Sequence, residues 1–184
     1  ITQVDYALGR IFGCLRENDL FKNTWVIFTA DHGEMLGDHH MSQKNLFFEG
    51  SAHVPLLIMP PQGRSLPHNI SVEAPTDLVD IYPTILAMAG LSSPVSVSGK
   101  NLLEPVPMDR MFFGNSLNKN FCVMEEKVKL VYSAVGDHVL LFDLNTDPME
   151  QHNLAEDPAW QERKAKLWKL LLEHTAQYTP EALD

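Results

Sequence analysis

Residues 25–44 read WVIFTADHGEMLGDHHMSQK, an apolar run that passes without a break into an acid, a histidine and a glycine. Residues 25–29 have the length and the bulky apolar side chains of a short buried strand. In open α/β sheets, ligands collect just beyond the carboxyl ends of parallel strands. Asp-His-Gly alone is more typical of a polar loop than of a ligand site, but the paired histidines and Lys44 downstream favour a ligand site.

The side chains of this stretch suit a cation and an anion. Asp31 is a natural ligand for a hard divalent cation, although calcium takes about 6–8 oxygens and needs further ligands. The imidazole of His32 suits zinc or manganese better than calcium. Lys44 carries a compact positive charge that can neutralise oxygens of a sulfate or phosphate. We expect Gly33 to let the backbone turn sharply beneath the site.

The bulk composition excludes some classes of partner. The 184 residues suit one domain or one and a half, with 45% apolar and 21% charged residues. A net charge of −10 argues against nucleic acid as a partner of the surface as a whole. No apolar run approaches the roughly 18 residues of a membrane span. The two cysteines, Cys14 and Cys122, cannot form a disulfide framework, and we expect both thiols to be buried.

The first half of the chain reads as α/β. Apolar residues at helical spacing predict an amphipathic helix over residues 4–20 that packs on a sheet. Residues 25–29 and 54–59 are predicted buried parallel strands, the first forming half of a βαβ unit with that helix. A brief strand is predicted at residues 70–74, and a helix at residues 77–90 with Gly90 as its C-terminal stop.

The second half reads as β followed by one helix. Residues 91–109 are rich in Ser, Pro and Val and predict a linker. Four short strands then predict an antiparallel meander, at residues 111–113, 121–125, 128–133 and 139–144, with a turn at Gly114-Asn115. Asp157 and Pro158 predict the start of a final helix that covers this sheet.

The motifs in combination resemble the C-terminal half of a formylglycine-dependent (type I) sulfatase, a family of the alkaline phosphatase superfamily. The motifs that carry the resemblance run through nearly the whole chain in the family's order: residues 24–39, Lys44, Glu49, 54–58, 80–86, 89–90, 141–144, Asp147-Pro148, Glu150 and 153–154. The resemblance implies part of an alkaline-phosphatase-like α/β/α sheet in residues 1–95. Residues 96–184 would form a small antiparallel β-sheet subdomain with a C-terminal helix.

The resemblance also implies roles for single residues. Asp31 matches a calcium ligand, and His32 falls where the family has an Asn or His at the metal. Lys44 matches the lysine that contacts the substrate sulfate and supports the leaving-group side, so it counts as both catalytic and substrate-binding. His39 matches a position near the active-site loop and is assigned to the catalytic set in a supporting role. His40 and Gln43 lie where substrate selectivity varies.

The chain departs from the family pattern at the nucleophile. The family makes formylglycine from the first residue of a Cys/Ser-x-Pro/Ala-x-Arg motif, and neither the sequence after Cys14 nor that after Cys122 matches. We therefore expect a sulfuric ester hydrolase whose formylglycine and remaining Ca²⁺ ligands lie in a missing N-terminal half, and no activity from this chain alone. The implied substrate is a sulfated small molecule or carbohydrate, and the implied location is periplasmic or secreted. We also expect self-association, because so small a sheet leaves apolar edges exposed.

Two alternatives remain open. The first is a metal-dependent phosphoesterase of the same superfamily, in which Asp31 and His32 bind zinc or manganese. Lys44 and the Asp147-Pro148 turn favour the sulfatase, and metal analysis would separate the two, since calcium supports the sulfatase and paired zinc the phosphoesterase. The second alternative is a non-catalytic, degenerate half retained for binding or assembly.

Overall fold

The computed structural model describes residues 1–44, 46–64, 69–94, 96–117 and 119–178. The chain divides into two compact units, residues 1–30 with 55–72, and residues 31–54 with 73–184. The domain boundary predicted at residue 95 stays a prediction. Within the described ranges, no helix combines the length and the apolar character that crossing a membrane would require.

The first unit contains a helix and a two-stranded sheet. Helix α1 spans Thr2–Glu17, and strands β1 (Val26–Thr29) and β2 (Leu56–Met59) pair with Ile27 opposite Ile58. The pairing is antiparallel, so the predicted parallel arrangement is wrong. A parallel pair needs a crossover, usually a helix. The described residues between β1 and β2 contain no helix longer than four residues. The prediction of parallel strands therefore lacked the crossover helix that such a pair usually needs.

Helix α1 lies outside any hydrophobic core. None of its residues is buried, and Val4 and Ile11 on the predicted apolar face are 62% and 55% exposed. The prediction that this helix packs on a sheet is therefore not confirmed, since two four-residue strands offer too little surface to cover its apolar stripe. Cys14 is exposed, against expectation. Self-association stays a prediction.

The second unit is built on a four-stranded antiparallel sheet in sequence order. Its strands are β3 (Phe112–Ser116), β4 (Asn120–Glu125), β5 (Val128–Ser133) and β6 (His138–Asp143). The predicted meander is thus confirmed, but Gly114 lies inside β3, opposite Cys122, where a turn was expected. A Cβ on Gly114 would fall 2.4 Å from the ring of Phe47, so the glycine makes room for an aromatic side chain. Residues 70–74 form no strand.

One face of this sheet packs on helix α4 (Gln161–Tyr178). We call this the helix face, and its buried side chains are Phe121, Val123, Leu130 and Leu141. Leu167 and Leu171 of α4 complete the cluster, as the sequence predicts. The predicted cap is also present, because Asp157 Oδ1 accepts the Ala159 N–H at 2.8 Å with Pro158 following it.

The opposite face of the sheet packs on residues 31–54, which we call the site segment. This segment face presents Phe142 to Met35 and Phe48 of the site segment, and Met41, Leu46 and Leu140 pack around them. Because each face has its own cover, β4 and β5 are buried over four successive residues. The mixed α/β fold with an antiparallel four-stranded sheet and a C-terminal helix is as predicted.

The helical region between the site segment and the sheet is held by one buried carboxylate. A 3₁₀ turn at Leu78–Asp80 leads into α3 (Ile81–Met88), and Gly90 ends it at φ +72°. Asp80 is fully buried and accepts a hydrogen bond from Arg110 Nη2 at 2.9 Å. Burial alone would raise the pKa of Asp80, but the Arg110 hydrogen bond and the Lys100 N–H hold that pKa below its usual value. The Lys100 N–H bond to Asp80 joins the predicted linker to the turn that leads into α3.

Candidate functional site

Three of the predicted site residues meet at the start of the site segment. The Nζ of Lys44 contacts Nε2 of His32, and the same Nε2 lies 3.2 Å from Oδ2 of Asp31. The Asp31 side chain is 85% exposed and that of His32 is 35% exposed, so the group faces an open surface. The imidazole of His32 therefore contacts both an acid and an ammonium, although Asp31 and Lys44 are 13 positions apart in the sequence.

The backbone decides which nitrogen of His32 carries the proton. Nδ1 lies 2.8 Å from the carbonyl oxygen of Gly33, which can only accept, so Nδ1 is the donor. The ammonium of Lys44 can only donate, so Nε2 is the acceptor. The Nε2 lone pair, which accepts from Lys44, and the nearby Asp31 carboxylate are both electron-pair donors, and two such donors side by side also suit a metal ion.

Gly33 matters because another backbone segment approaches it closely. Its N–H donates to the carbonyl of Ser51 at 2.8 Å, and a Cβ on Gly33 would fall 2.1 Å from the carbonyl oxygen of Gly50. Gly33 is not among the residues with positive φ, whereas Gly37 has φ +107°. The expectation of a sharp turn at Gly33 is therefore wrong, and close backbone packing is the reason that glycine stands there.

The loop between the acid and the lysine holds an unusual backbone. Leu36, His39, His40 and Gln43 all have φ between +51° and +77°, a region that side-chain-bearing residues seldom adopt. Hydrogen bonds hold the loop in this shape, including Gly37 N–H to Met41 O at 2.9 Å and Gln43 N–H to the Glu34 carboxylate. Strained backbone of this kind clusters at functional sites.

The remaining predicted site residues lie elsewhere on this loop. His39 stacks on the buried ring of Phe48 with centroids 4.1 Å apart, so one face of its imidazole is occupied by packing. His40 and Gln43 are exposed, and the backbone N–H of Gln43 is used by Glu34. Their roles in catalysis and substrate selection stay predictions.

The fit to a metal ion is partial. In the part of the chain that the structure describes, no group of three or more His, Cys, Asp or Glu side chains could enclose an ion. Asp31 offers an exposed carboxylate and His32 the Nε2 lone pair that Lys44 contacts here, which together supply only a fraction of the about 6–8 donors that calcium takes. These two residues could form one side of a metal site, and the remaining ligands would have to come from other residues.

A buried charge network that the sequence reading missed supports the site segment. Lys129 of β5 is 2% exposed, and its Nζ lies 2.7 Å from Glu49 Oε1 and 2.6 Å from Glu150 Oε1. Burial alone would lower the pKa of Lys129, but the two carboxylates raise it above its ordinary value. Glu49 belongs to α2 (Glu49–Ala52), next to Gly50 and Ser51, whose carbonyls meet Gly33.

Comparison with known proteins gives the family context. The family model described as Sulfatase matches residues 1–91. Arylsulfatase K of Xenopus laevis is 34% identical over 174 residues, which cover 84% of this chain and 32% of that protein. The chain thus spans about a third of the length of such curated relatives.

Solved structures extend the likeness to the fold. A protein determined in complex with its substrate D-glucosamine-2-N,6-O-disulfate matches with a TM-score of 0.75 at 23% identity, over 97% of this chain and 39% of that one. The phosphonate monoester hydrolase of Agrobacterium radiobacter matches with a TM-score of 0.75 at 33% identity, over 96% of this chain and 40% of that one. The predicted family resemblance is confirmed, and the chain belongs to the sulfatase family of the alkaline phosphatase superfamily.

Proposed function

We propose that this chain supplies Asp31, His32 and Lys44 to the active site of a sulfuric ester hydrolase. The observation that carries the proposal is the contact of Lys44 Nζ with His32 Nε2 beside the Asp31 carboxylate. Membership of the sulfatase family supports sulfate esters as the substrate class. A sulfated small molecule or carbohydrate fits the exposed position of the three residues.

The roles follow from the chemistry of each side chain. In hydrolysis the ester S–O bond breaks, water supplies the new oxygen on sulfur, and the alcohol leaves with a proton. Negative charge on the sulfate and leaving-group oxygens has to be offset as that bond breaks. The Lys44 ammonium does this as a point charge. Asp31 and His32 would hold one side of a calcium ion, which supplies further electrostatic stabilisation when bound.

Asp31 and His32 would hold a divalent cation through the Asp31 carboxylate and the Nε2 lone pair of His32. Lys44 would then offer its ammonium to the anionic substrate instead of to His32. A formylglycine nucleophile in an N-terminal portion outside these residues would complete the site, and the 184-residue chain by itself is inactive in this proposal.

The activity test uses the full translated product of the gene with an aryl sulfate and calcium. We expect hydrolysis, and we expect Lys44→Gln to lower kcat by about a hundredfold or more, as when one oxyanion-stabilising donor is removed. Lys22→Gln is the matched control, because Lys22 is an exposed lysine that pairs with Asp19. Absence of sulfate ester hydrolysis by the full product, or an unchanged rate in Lys44→Gln, would overturn the proposal.

A metal-dependent phosphoesterase is the second candidate, and the likeness to a phosphonate monoester hydrolase favours it. The two candidates differ in metal and in preferred ester. Two measurements on the purified full product distinguish the candidates. Elemental analysis identifies the metal, and kinetics give the ratio of kcat/KM for phenyl sulfate to kcat/KM for a phenylphosphonate ester. Calcium with a ratio above one supports the sulfatase, and paired zinc with the reverse ratio supports the phosphoesterase.

A further inference from the structure

The charge network beneath the site segment joins three distant parts of the chain. Lys129 is the second residue of β5, Glu49 begins α2 of the site segment, and Glu150 lies in the turn that follows β6. The side chains of Lys129 and Glu150 are 3% and 2% exposed, so their contact is shielded from water, while the Glu49 side chain is 30% exposed. Buried charges of this kind are held in place by their partners, because any one left alone carries a large desolvation cost.

Glu150 fixes both the charge and the backbone of Glu49. Its Oε2 accepts the N–H of Glu49 at 2.7 Å, while its Oε1 lies against the ammonium of Lys129. Oε1 of Glu49 accepts a hydrogen bond from the Lys129 ammonium, and Oε2 of Glu49 lies 3.0 Å from His53 Nδ1. The first turn of α2 is thus held at its backbone and at its side chain.

The position of α2 is passed on to the candidate site by backbone contacts. The Ser51 carbonyl accepts the Gly33 N–H, and the Gly50 carbonyl lies where a Cβ on Gly33 would stand. The Gly33 carbonyl in turn accepts Nδ1–H of His32, which sets the tautomer that presents Nε2 to Lys44. A continuous series of short contacts therefore runs from β5 to the imidazole.

We infer that Lys129, Glu49 and Glu150 are positioning residues that hold His32 in its orientation toward Lys44 and Asp31. The network is a poor source of net stability, since a buried ion triad replaced by uncharged groups of similar volume is often as stable. What uncharged groups cannot supply is the charge-assisted hydrogen bond from Lys129 Nζ to the Glu49 carboxylate of α2. The positioning role bears on catalysis through the proposed function, but its geometry can be tested without any turnover.

The main variant is Lys129→Met/Glu49→Gln/Glu150→Gln, which removes all three charges together and leaves none unpaired. The control is Lys166→Met, which removes a 2.6 Å ion pair between α4 and β4 and leaves Glu125 paired with Arg163. Both are made in the 184-residue chain. Glu49→Gln alone is the second variant, because it keeps the N–H bond to Glu150 and changes only one carboxylate.

Amide hydrogen exchange and proton NMR report the result. In the triple variant we expect exchange at Gly33 and Met35 to become about tenfold faster, as when charge-assisted hydrogen bonds are lost. Exchange in β4 and α4 and the urea midpoint should change little. The nuclear Overhauser effect between the Lys44 side chain and the His32 ring should weaken. Glu49→Gln should show the same pattern at smaller size, and the control variant should show none of it.

An unchanged Overhauser effect with unchanged exchange at Gly33 in both variants would overturn the inference. So would faster exchange throughout the second unit, because the network would then be a general stabilising element. Failure of the proposed function looks different, since the full product would then not hydrolyse sulfate esters even though Gly33 and His32 respond as described. Where hydrolysis is present, the triple variant should lower kcat more than it alters KM, as expected for misplaced groups at the reacting atoms.

Discussion

The two faces of the four-stranded sheet are covered in different ways. The helix face is an apolar cluster in which Leu130 and Leu141 pack on α4, and its fit depends on shape alone. The segment face combines the apolar contact of Phe142 and Phe48 with the buried Lys129 and its two carboxylates. Apolar packing secures a regular helix, whereas an irregular loop that carries reactive side chains is secured by directional bonds as well.

The largest expected effects come from a matched pair of neighbours on β6, Leu141→Ala on the helix face and Phe142→Ala on the segment face. Both side chains are at most 2% exposed, and each truncation should lower the free energy of unfolding by about 3 kcal/mol. Urea unfolding measures the total loss. Amide exchange should then differ, with Leu141→Ala loosening α4 first and Phe142→Ala loosening the site segment first. The same exchange pattern in both variants would contradict the contrast between the two faces.

Gly33→Ala should lower the free energy of unfolding by about 2 kcal/mol, because the added methyl meets the Gly50 carbonyl and forces the backbone apart. Gly50→Ala is the control, since a Cβ there meets Met35 Sδ at 3.5 Å and the Glu34 carbonyl oxygen at 4.0 Å, both ordinary contacts. Thermal unfolding compares the two. A Gly33→Ala protein as stable as Gly50→Ala would show that the approach of Gly50 to Gly33 is not tight.

The cysteines predict a difference in alkaline stability. Burial raises the pKa of the Cys122 thiol from 9.0 to about 12, so the folded state keeps a proton that the unfolded state releases above pH 9. Stability from this group is fully present below pH 9 and falls by about 1.4 kcal/mol per pH unit between pH 9 and 12. Cys122→Ala should flatten that slope in urea titrations, while Cys14→Ala, at an exposed position, should leave it unchanged. Equal slopes in the two variants would contradict the prediction.

The smallest expected effect concerns backbone strain in the site segment. Leu36 is 86% exposed at φ +51°, so Leu36→Gly should relieve left-handed backbone strain. Glycine also adds conformational entropy to the unfolded chain, which opposes this gain. The net expected effect is a rise of about 0.5 kcal/mol in the free energy of unfolding. Leu172→Gly on α4 should instead lower it by about 1 kcal/mol. Thermal unfolding measures both changes, and a destabilised Leu36→Gly protein would show that the leucine side chain contributes contacts of its own.

Much of the second unit could be predicted from the sequence because its signals are local. The apolar runs predict strands β4 to β6, and Asp157-Pro158 predicts the start of the last helix, each from a few neighbouring residues. The convergence of Asp31, His32 and Lys44 also followed, because a polar cluster after a strand marks a site candidate. The roles of those residues rest on the family resemblance and stay predictions.

What could not be predicted depends on contacts between distant residues. The antiparallel pairing of β1 and β2 follows from how residues 30–55 fold, which no short pattern encodes. Gly33 was assigned to a turn because its partner, Gly50, is 17 positions away. Lys129 alternates with Leu130 in β5, and a lysine in an alternating strand normally indicates a solvent face. The two carboxylates that make its burial tolerable lie 80 and 21 positions away.

The buried lysine of β5 also affects which strand pairings are accessible during folding. Adjacent side chains of a strand point to opposite faces, so a slip of one residue would turn the Lys129 ammonium toward Leu167 and Leu171 of the last helix. An ammonium stranded there without carboxylates costs several kcal/mol. Its neighbours Val128, Leu130 and Val131 are all apolar and would discriminate weakly between the two pairings, so one charge among them disfavours the misfolded hairpin.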